Sequence, residues 1–282
     1  MTNSWNIGRA FGINVYVHWT MLLLPLWILF TNTGPAALFA LVLTAGLFGC
    51  VVLHELGHAL AARHFRIRTR DITLYPIGGV ARLESVGNRP WEEFWIALAG
   101  PAVNVAIALG LGAVWLAMIS VNPVLAAETL LGHFVYWLMV VNVGMIVFNL
   151  LPAFPMDGGR VLRAVLAGAI GQVRATRIAV GIGMVLAVVL GIVGIAYLHN
   201  PWLAFIAAFV FLAGQQELQV VEMRHRLGAS WSGVGDSDTR SWHTHTWSPH
   251  VDQPTHPEHD AVPRPKVTVY VWDAEAQIWV KQ

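Results

Sequence analysis

The sequence predicts an all-α polytopic membrane protein with about six transmembrane helices, a small membrane-associated β element after the second helix, and a cytoplasmic tail. Hydrophobic residues make up 56% of the 282 positions and charged residues only 12%, whereas soluble domains carry about 25% charged residues. Long uncharged stretches are separated by connections, and every second connection is rich in arginine. Such stretches face lipid or one another, because a water-soluble domain of this length would cover its core with charged side chains.

Six apolar segments account for the predicted helices. A transmembrane helix needs about 20 residues, with a range of about 17 to 25, so the first and last segments are short, and Pro25 could kink the first. The N-terminus lacks a small-residue cleavage site after its apolar run, which favours a retained span over a secretory signal, with a cleaved signal as the alternative. The segments are residues 15–30, 36–62, 94–119, 134–151, 178–198 and 202–212.

Arginines cluster in every second connection between the apolar segments. They follow the second, fourth and sixth segments, whereas the connections at 31–35, 120–133 and 199–201 contain no lysine or arginine. The positive-inside rule therefore predicts an even number of spans with both termini in the cytoplasm. We expect an integral protein of the cell membrane. The clustered arginines are Arg63, Arg66, Arg68, Arg70, Arg82, Arg89, Arg160, Arg163, Arg174, Arg177, Arg224 and Arg226.

The composition changes in two regions outside these segments. Residues 65–85 alternate irregularly between apolar and polar side chains and turn around Pro76, Gly78 and Gly79, which predicts short strands and loops. From residue 223 the hydrophobic period is lost, and a β-like pattern returns near the end. We therefore predict three units: a membrane domain at 1–222, a disordered histidine-rich linker at 223–265 and a short β-hairpin at 266–282. The linker histidines could bind metal weakly, but a solvated tract is an equally good interpretation.

The second apolar segment contains the sequence HELGH at residues 54–58. Residues four apart lie on one face of a helix, so His54 and His58 can bind a single metal ion. Zinc suits such ligands and lowers the pKa of bound water to about 7, so Glu55 can act as general base toward that water. A chance match is the alternative, but ionisable groups at membrane depth cost about 2.5 to 3.5 kcal/mol each, which requires partners or a function. Gly57 could let another backbone approach, although ordinary helix packing explains it nearly as well.

Asp157 is the candidate for the third ligand of one catalytic zinc ion. Beyond residue 94, it is the first acidic residue at a membrane-embedded position or at the end of a predicted span. The second and fourth segments run in the same direction, so His54, His58 and Asp157 can share one depth near their cytoplasmic ends. His58 precedes Arg63 by about five residues, roughly 7 to 8 Å along a helix. The metal would therefore lie inside the membrane, within reach of cytoplasmic water.

The neighbours of Asp157 include two prolines before it and two glycines after it. The prolines prevent a regular helix, and the glycines permit unusual backbone dihedral angles, as expected where the backbone bends toward a ligand. A capped helix end before a basic connection is the alternative explanation. The four residues are Pro152, Pro155, Gly158 and Gly159.

Taken together, the motifs resemble those of the site-2 proteases, intramembrane zinc metallopeptidases of family M50. They are HELGH at 54–58, PIGGV at 76–80, AGPAVN at 99–104 and NLLPAFPMDGGR at 149–160, in this order on hydrophobic segments. The resemblance covers about the first three quarters of the chain and lacks a PDZ domain or a recognisable CBS pair. It implies zinc ligation by His54, His58 and Asp157, catalysis by Glu55, and substrate contacts from Asn149. The family's membrane-associated loop corresponds to residues 75–81, which makes Gly78 and Gly79 further candidates for substrate binding.

The function expected from these features is zinc-dependent cleavage of a peptide bond within a transmembrane segment of another protein, with Glu55 activating zinc-bound water. Partners would be that membrane protein substrate and the lipid bilayer, and no nucleic acid is expected. A membrane metal transporter or metal sensor is the alternative, because the same histidines and aspartate could form a transit site. That alternative leaves Glu55 without a distinctive role, and a catalytically silent scaffold leaves the whole cluster without one.

Overall fold

The structure is a computed structural model that describes residues 4–83, 89–232, 270–273 and 278–281. In it, four strands and eight helices precede a separate pair of short strands near the C-terminus. A 3₁₀ turn at Trp19–Leu22 joins β2 to α1. The elements are β1 Ser4–Ala10, β2 Ile13–His18, α1 Leu23–Thr31, α2 Gly34–His64, β3 Thr69–Tyr75, β4 Gly78–Leu83, α3 Pro90–Val121, α4 Pro123–Ala127, α5 Leu130–Asn149, α6 Asp157–Ile170, α7 Gln172–Ala196, α8 Pro201–Ser232, β5 Tyr270–Asp273 and β6 Ile278–Lys281.

Five helices among the described residues are long and apolar enough to cross a membrane, namely α2, α3, α5, α7 and residues Pro201–Met223 of α8. Their sequences form helices because lipid offers no hydrogen-bond partner, so each backbone amide and carbonyl must be satisfied within its own segment. Local signals set the starts: prolines occupy the first turns of α2 and α3, and the Thr129 hydroxyl accepts from the Gly132 amide at the start of α5. The chain is therefore an integral membrane protein.

The first apolar segment, predicted as one span at 15–30, is divided between a strand and a short helix. Its first residues belong to β2, where Ile13 and Val15 are buried. The helical part, Trp19–Thr31, is shorter than the 18 residues required of a span and rises about 20 Å at 1.5 Å per residue. Pro25 lies in the first turn of α1, where its missing amide costs nothing. The expectation of one continuous helix at 15–30 is thus corrected, and among the described residues five helices have the length of a span.

The β element is a four-stranded sheet in the order β1-β2-β3-β4, larger than the prediction from residues 65–85. β2 and β3 pair in parallel, with Asn14 opposite Asp71, and the other two pairs are antiparallel. The sheet packs on the last turns of α2 through a cluster of Ile13, Leu56, Ala59 and Ile72. It thereby fixes β4 beside the HELGH segment.

The connection to Asp157 and the C-terminal part differ in detail from the sequence expectations. α5 ends at Asn149, and Asp157 begins the amphipathic helix α6 instead of ending the fourth span. α8 extends to Ser232, beyond the predicted start of the linker at 223. Residues 233–269, with most of the predicted histidine-rich linker, lie outside the described residues. Within the predicted hairpin, β5 and β6 pair in antiparallel fashion.

Candidate metal centre

His54, His58 and Asp157 meet at a buried point between α2 and the first turn of α6. The Nε2 atoms of His54 and His58 lie 3.3 Å and 3.0 Å from Asp157 Oδ2, and 3.1 Å from each other. All three residues are at most 7% exposed. The helical spacing of four brings the imidazoles together, as the sequence predicted, and the structure adds Asp157 to the same point.

The backbone of α3 orients one of the two imidazoles. His58 Nδ1 lies 2.7 Å from the Ile96 carbonyl oxygen, which can only accept, so Nδ1 carries the proton and Nε2 directs its lone pair into the cluster. Histidine ligands usually make such a second hydrogen bond, which fixes both the tautomer and the ring orientation. On the other side, Arg160 Nη1 lies 3.6 Å from Asp157 Oδ1. These contacts orient the imidazole of His58 and the carboxylate of Asp157.

Gly100 and Gly57 allow α3 to approach the two histidines. A Cβ atom at Gly100 would lie 2.2 Å from His58 Nε2 and 2.8 Å from His54 Cε1, and one at Gly57 would lie 2.8 Å from the Ala99 carbonyl oxygen. Each glycine thus accommodates a neighbour that a larger residue would displace. For Gly57 this is the close backbone approach considered from the sequence. The role of Gly100 was not predicted, although the AGPAVN motif that contains it was the available signal.

The loop before Asp157 is held by close packing. A Cβ atom at Gly158 would lie 2.3 Å from the carbonyl oxygens of Leu150 and Leu151, and one at Gly159 would lie 2.8 Å from that of Ala153. Neither Gly158 nor Gly159 has a positive φ angle. The two glycines therefore serve close backbone contact, which corrects the expectation that they provide unusual dihedral angles.

Glu55 projects from the same helix toward β4. Its Oε2 accepts a hydrogen bond of 3.2 Å from the Ala81 backbone amide, and a Cβ atom at Gly79 would lie 2.7 Å from its Cγ. Glu55 is half-buried, whereas the histidines are buried. The backbone contact from Ala81 was not predicted, since a main-chain amide leaves no signal in residue identity.

A groove of about 410 Å³ opens beside the cluster. It is lined by both His54 and Glu55 and by the three candidate substrate-binding residues, Asn149, Gly78 and Gly79. The Asn149 Nδ2 donates to the Met145 carbonyl oxygen at 3.0 Å, one turn earlier in α5. The structure therefore brings all seven predicted site residues to one region. Five of them line the groove, and the other two, His58 and Asp157, lie in the buried cluster.

The donor set of the cluster fits a zinc ion. Two imidazole nitrogens and one carboxylate oxygen lie within 4.8 Å of one another, which matches the two-histidine, one-carboxylate ligand set of catalytic zinc sites with an open fourth position. A polar cluster this deeply buried would be costly without a binding partner. The cluster can hold one metal ion.

These features define an integral membrane protein with an HExxH motif and an aspartate in one buried cluster that can hold a metal ion. The chain belongs to peptidase family M50, whose sequence profile matches residues 42–126 and 116–190. It is 35% identical over 224 residues to the zinc metalloprotease MJ0392 of Methanocaldococcus jannaschii, which covers 79% of this chain and 63% of that protein. It is 34% identical over 268 residues to Rip3 of Mycobacterium tuberculosis, which covers 87% of this chain and 65% of that protein. The chain thus spans less than two thirds of the length of these curated relatives.

A solved structure described as the site-2 protease from Methanocaldococcus jannaschii is also similar. It superimposes with a TM-score of 0.55 at 32% sequence identity and covers 76% of this chain and 95% of that one. The family resemblance derived from the four motifs is therefore confirmed.

Proposed function

We propose that this chain is a zinc-dependent intramembrane endopeptidase that cleaves a transmembrane segment of another membrane protein. The observation that carries the proposal is the placement of His54, His58 and Asp157 in one buried cluster with Glu55 at the wall of an adjoining groove. Metal ligands alone would suit a transporter. Hydrolysis also requires a carboxylate outside the ligand set, and Glu55 supplies one beside the groove, one residue after the first ligand.

In this mechanism His54 and His58 would hold a zinc ion through their Nε2 atoms, together with a carboxylate oxygen of Asp157. When bound, the ion would polarise the substrate carbonyl and lower the pKa of the attacking water to about 7. Glu55 takes a proton from the attacking water and then delivers it to the leaving amine. The Ala81 amide fixes Oε2 of Glu55, so the carboxylate stays oriented between the two transfers.

The groove supports a substrate held as an extended strand. β4 is an edge strand of the sheet, and the Ala81 amide points away from β3 because it donates to Glu55. Backbone groups two residues apart face the same side of a strand, so Gly79 presents its amide and carbonyl to this edge. A substrate segment that pairs there becomes unwound, which exposes its peptide bonds. Gly78, with φ +140°, shapes the turn before β4, and the Asn149 amide can orient the scissile carbonyl.

The fold supports a cytoplasmic position for both termini of the membrane domain. β2 and β3 share one sheet, so the N-terminal strands and the connection after α2 lie on the same side. α2 leads the chain back to the side of the sheet, so the helical stretch Trp19–Thr31 before it must first lead the chain away across most of the bilayer. Six crossings result, with residue 223 on the side of the arginine-rich connections. This is the cytoplasmic side by the positive-inside rule, and it gives the cluster access to cytoplasmic water.

Glu55→Gln tests this function, since glutamine keeps the shape and cannot take a proton. In liposomes that contain the protein and a synthetic transmembrane peptide with a helix-weakening sequence, we expect cleavage to vanish while one zinc ion per chain remains. Glu128→Gln, at an exposed position outside the site, is the matched control and should cleave at the wild-type rate. Wild-type cleavage by Glu55→Gln would reject the protease mechanism. Zinc transport across the liposome membrane without any cleavage by the wild type would favour the transporter instead.

A further inference from the structure

A second cluster of charges lies near the metal centre, around Arg163 of α6. Its Nε donates to Glu93 Oε1 at 2.9 Å, its Nη2 bonds to the same oxygen, and its Nη1 bonds to Glu217 of α8. Its guanidinium carbon also lies 4.9 Å from the ring centre of Phe154, in the loop that leads to Asp157. One side chain therefore contacts α3, α8 and the α5–α6 loop.

The Arg163–Glu93 pair is buried, so both charges lose the free energy of hydration that they would have in water. Arg163 is 8% exposed and Glu93 5%. Burial alone would lower the pKa of Arg163, but the Glu93 and Glu217 carboxylates raise it above its ordinary value, so the guanidinium stays charged. Buried ion pairs often contribute little net stability, because desolvation offsets the attraction between the charges. Stability alone is thus a weak reason for this pair.

The two helices joined by this pair supply different parts of the metal centre. Glu93 lies one turn before Ile96, whose carbonyl orients His58, and seven residues before Gly100, which borders both imidazoles. Arg163 lies on α6, the helix that begins with Asp157. If the pair fixes the position of α3 relative to α6, it also fixes the histidines relative to Asp157 without a direct bond between α3 and Asp157. The ion pair thus couples the element that orients the histidines to the element that carries the carboxylate.

We propose that Arg163 and Glu93 form a positioning pair that sets the distance between the two histidines and Asp157 and thereby tunes zinc affinity. Neither residue belongs to the cluster of candidate ligands or lines the groove beside it. The ring of Phe154 lies against the guanidinium and extends the same restraint to the loop before Asp157. Glu217 connects the pair to α8. The proposal rests on the proposed function only in taking zinc as the metal that the cluster binds.

Zinc affinity of Arg163→Met measures this coupling in the full-length protein in detergent. Methionine keeps much of the buried volume but removes the forked contacts. We expect the zinc dissociation constant, measured with a competing chelator, to rise about 10- to 100-fold, the range typical for partners of metal ligands. With Co²⁺ as the probe, the visible absorption bands should change, since they report coordination geometry. Arg163→Lys keeps the charge but cannot contact two carboxylates as a fork, so we expect it to recover part of the affinity.

Arg177→Met is the matched control, because Arg177 bonds to Glu222 and so joins α7 to α8, neither of which carries a residue of the metal cluster. We expect its zinc affinity and cobalt spectrum to equal those of the wild type. A purely structural Arg163 would lower the melting temperature of the metal-free protein and leave both metal readouts unchanged, and that result would overturn the proposal. If Arg163→Met does not fold, Arg163→Lys decides: an unchanged affinity and spectrum would also overturn it.

The test separates this inference from the proposed function. A wild-type protein that binds zinc but cleaves no transmembrane substrate would reject the protease and leave the positioning pair to be judged by zinc affinity. A wild-type protein that binds no zinc would reject both.

Discussion

Replacing Gly100 by alanine perturbs the metal centre without removing any ligand. The added methyl group would lie 2.2 Å from His58 Nε2, 2.5 Å from His58 Cε1 and 2.8 Å from His54 Cε1. Backbone of α3 holds the new atom in place, so relief must come from the imidazoles or from separation of α2 and α3. Either movement changes the geometry of the cluster.

The size of the displacement follows from these distances. Ordinary contact begins at 3.4 Å, so the His58 Nε2 must retreat by about 1.2 Å from its present 2.2 Å. Metal ligands tolerate errors of only about 0.2 Å in distance, and a misplacement of about 1 Å can reduce catalysis about 100-fold. We expect at least a 100-fold lower cleavage rate and a comparable loss of zinc affinity. Overpacking should also destabilise the metal-free protein by about 1 to 3 kcal/mol.

Gly110→Ala provides the matched control on the same helix. A Cβ atom at Gly110 meets no other atom within 4 Å, and alanine is favoured in helices, so zinc affinity and cleavage should equal the wild type. The assays are zinc binding against a competing chelator, cleavage in liposomes and the melting temperature of the metal-free protein. If Gly100→Ala binds zinc and cleaves as the wild type does, the described approach of α3 to the histidines is wrong.

Three further outcomes test other parts of the site. Gly79→Ala places a Cβ atom 2.7 Å from Glu55 Cγ, so we expect the turnover rate to fall at least 10-fold with zinc content unchanged. Its control is Gly144→Ala, in the same groove with open space around its Cβ position, which should cleave at the wild-type rate. Equal rates for both variants would contradict a catalytic role for the Glu55 position. Asp157→Asn replaces an anionic ligand by a neutral amide, so zinc affinity should fall at least 10-fold, and retention of one tightly bound zinc per chain would exclude Asp157 as a ligand. Treatment with a chelator should abolish cleavage and added Zn²⁺ should restore it; cleavage that persists after the zinc content has reached zero would exclude a metalloprotease.

The cluster of candidate ligands could be predicted from the sequence because its residues have distinctive types and spacing. His54 and His58 follow from the helical period, and Asp157 follows from its isolation among apolar residues and from the depth that the arginine clusters imply. What surrounds these residues was less accessible. The Ile96 carbonyl and the Ala81 amide are main-chain groups, so their positions depend on how α3 and β4 pack against α2.

The sheet shows why local pattern was insufficient for the fold. Val15 and Val17 are apolar enough to suit the beginning of a span, and only pairing with Ile72 and Leu74 reveals that they belong to a strand. A hydrophobic period reports which residues leave water, whereas a parallel pairing depends on partners distant along the chain. The same limit applies to Arg163, whose partners Glu93 and Glu217 lie on two other helices.

The division of the metal centre between α2 and α6 determines when it can first exist. About 100 residues separate His58 from Asp157, and at a synthesis rate of about 5 to 20 residues per second they take about 5 to 20 s to make. During that interval the nascent chain contains both histidines but lacks the carboxylate of Asp157. The cluster of three side chains therefore cannot form before α6 has been synthesised and its first turn lies against α2.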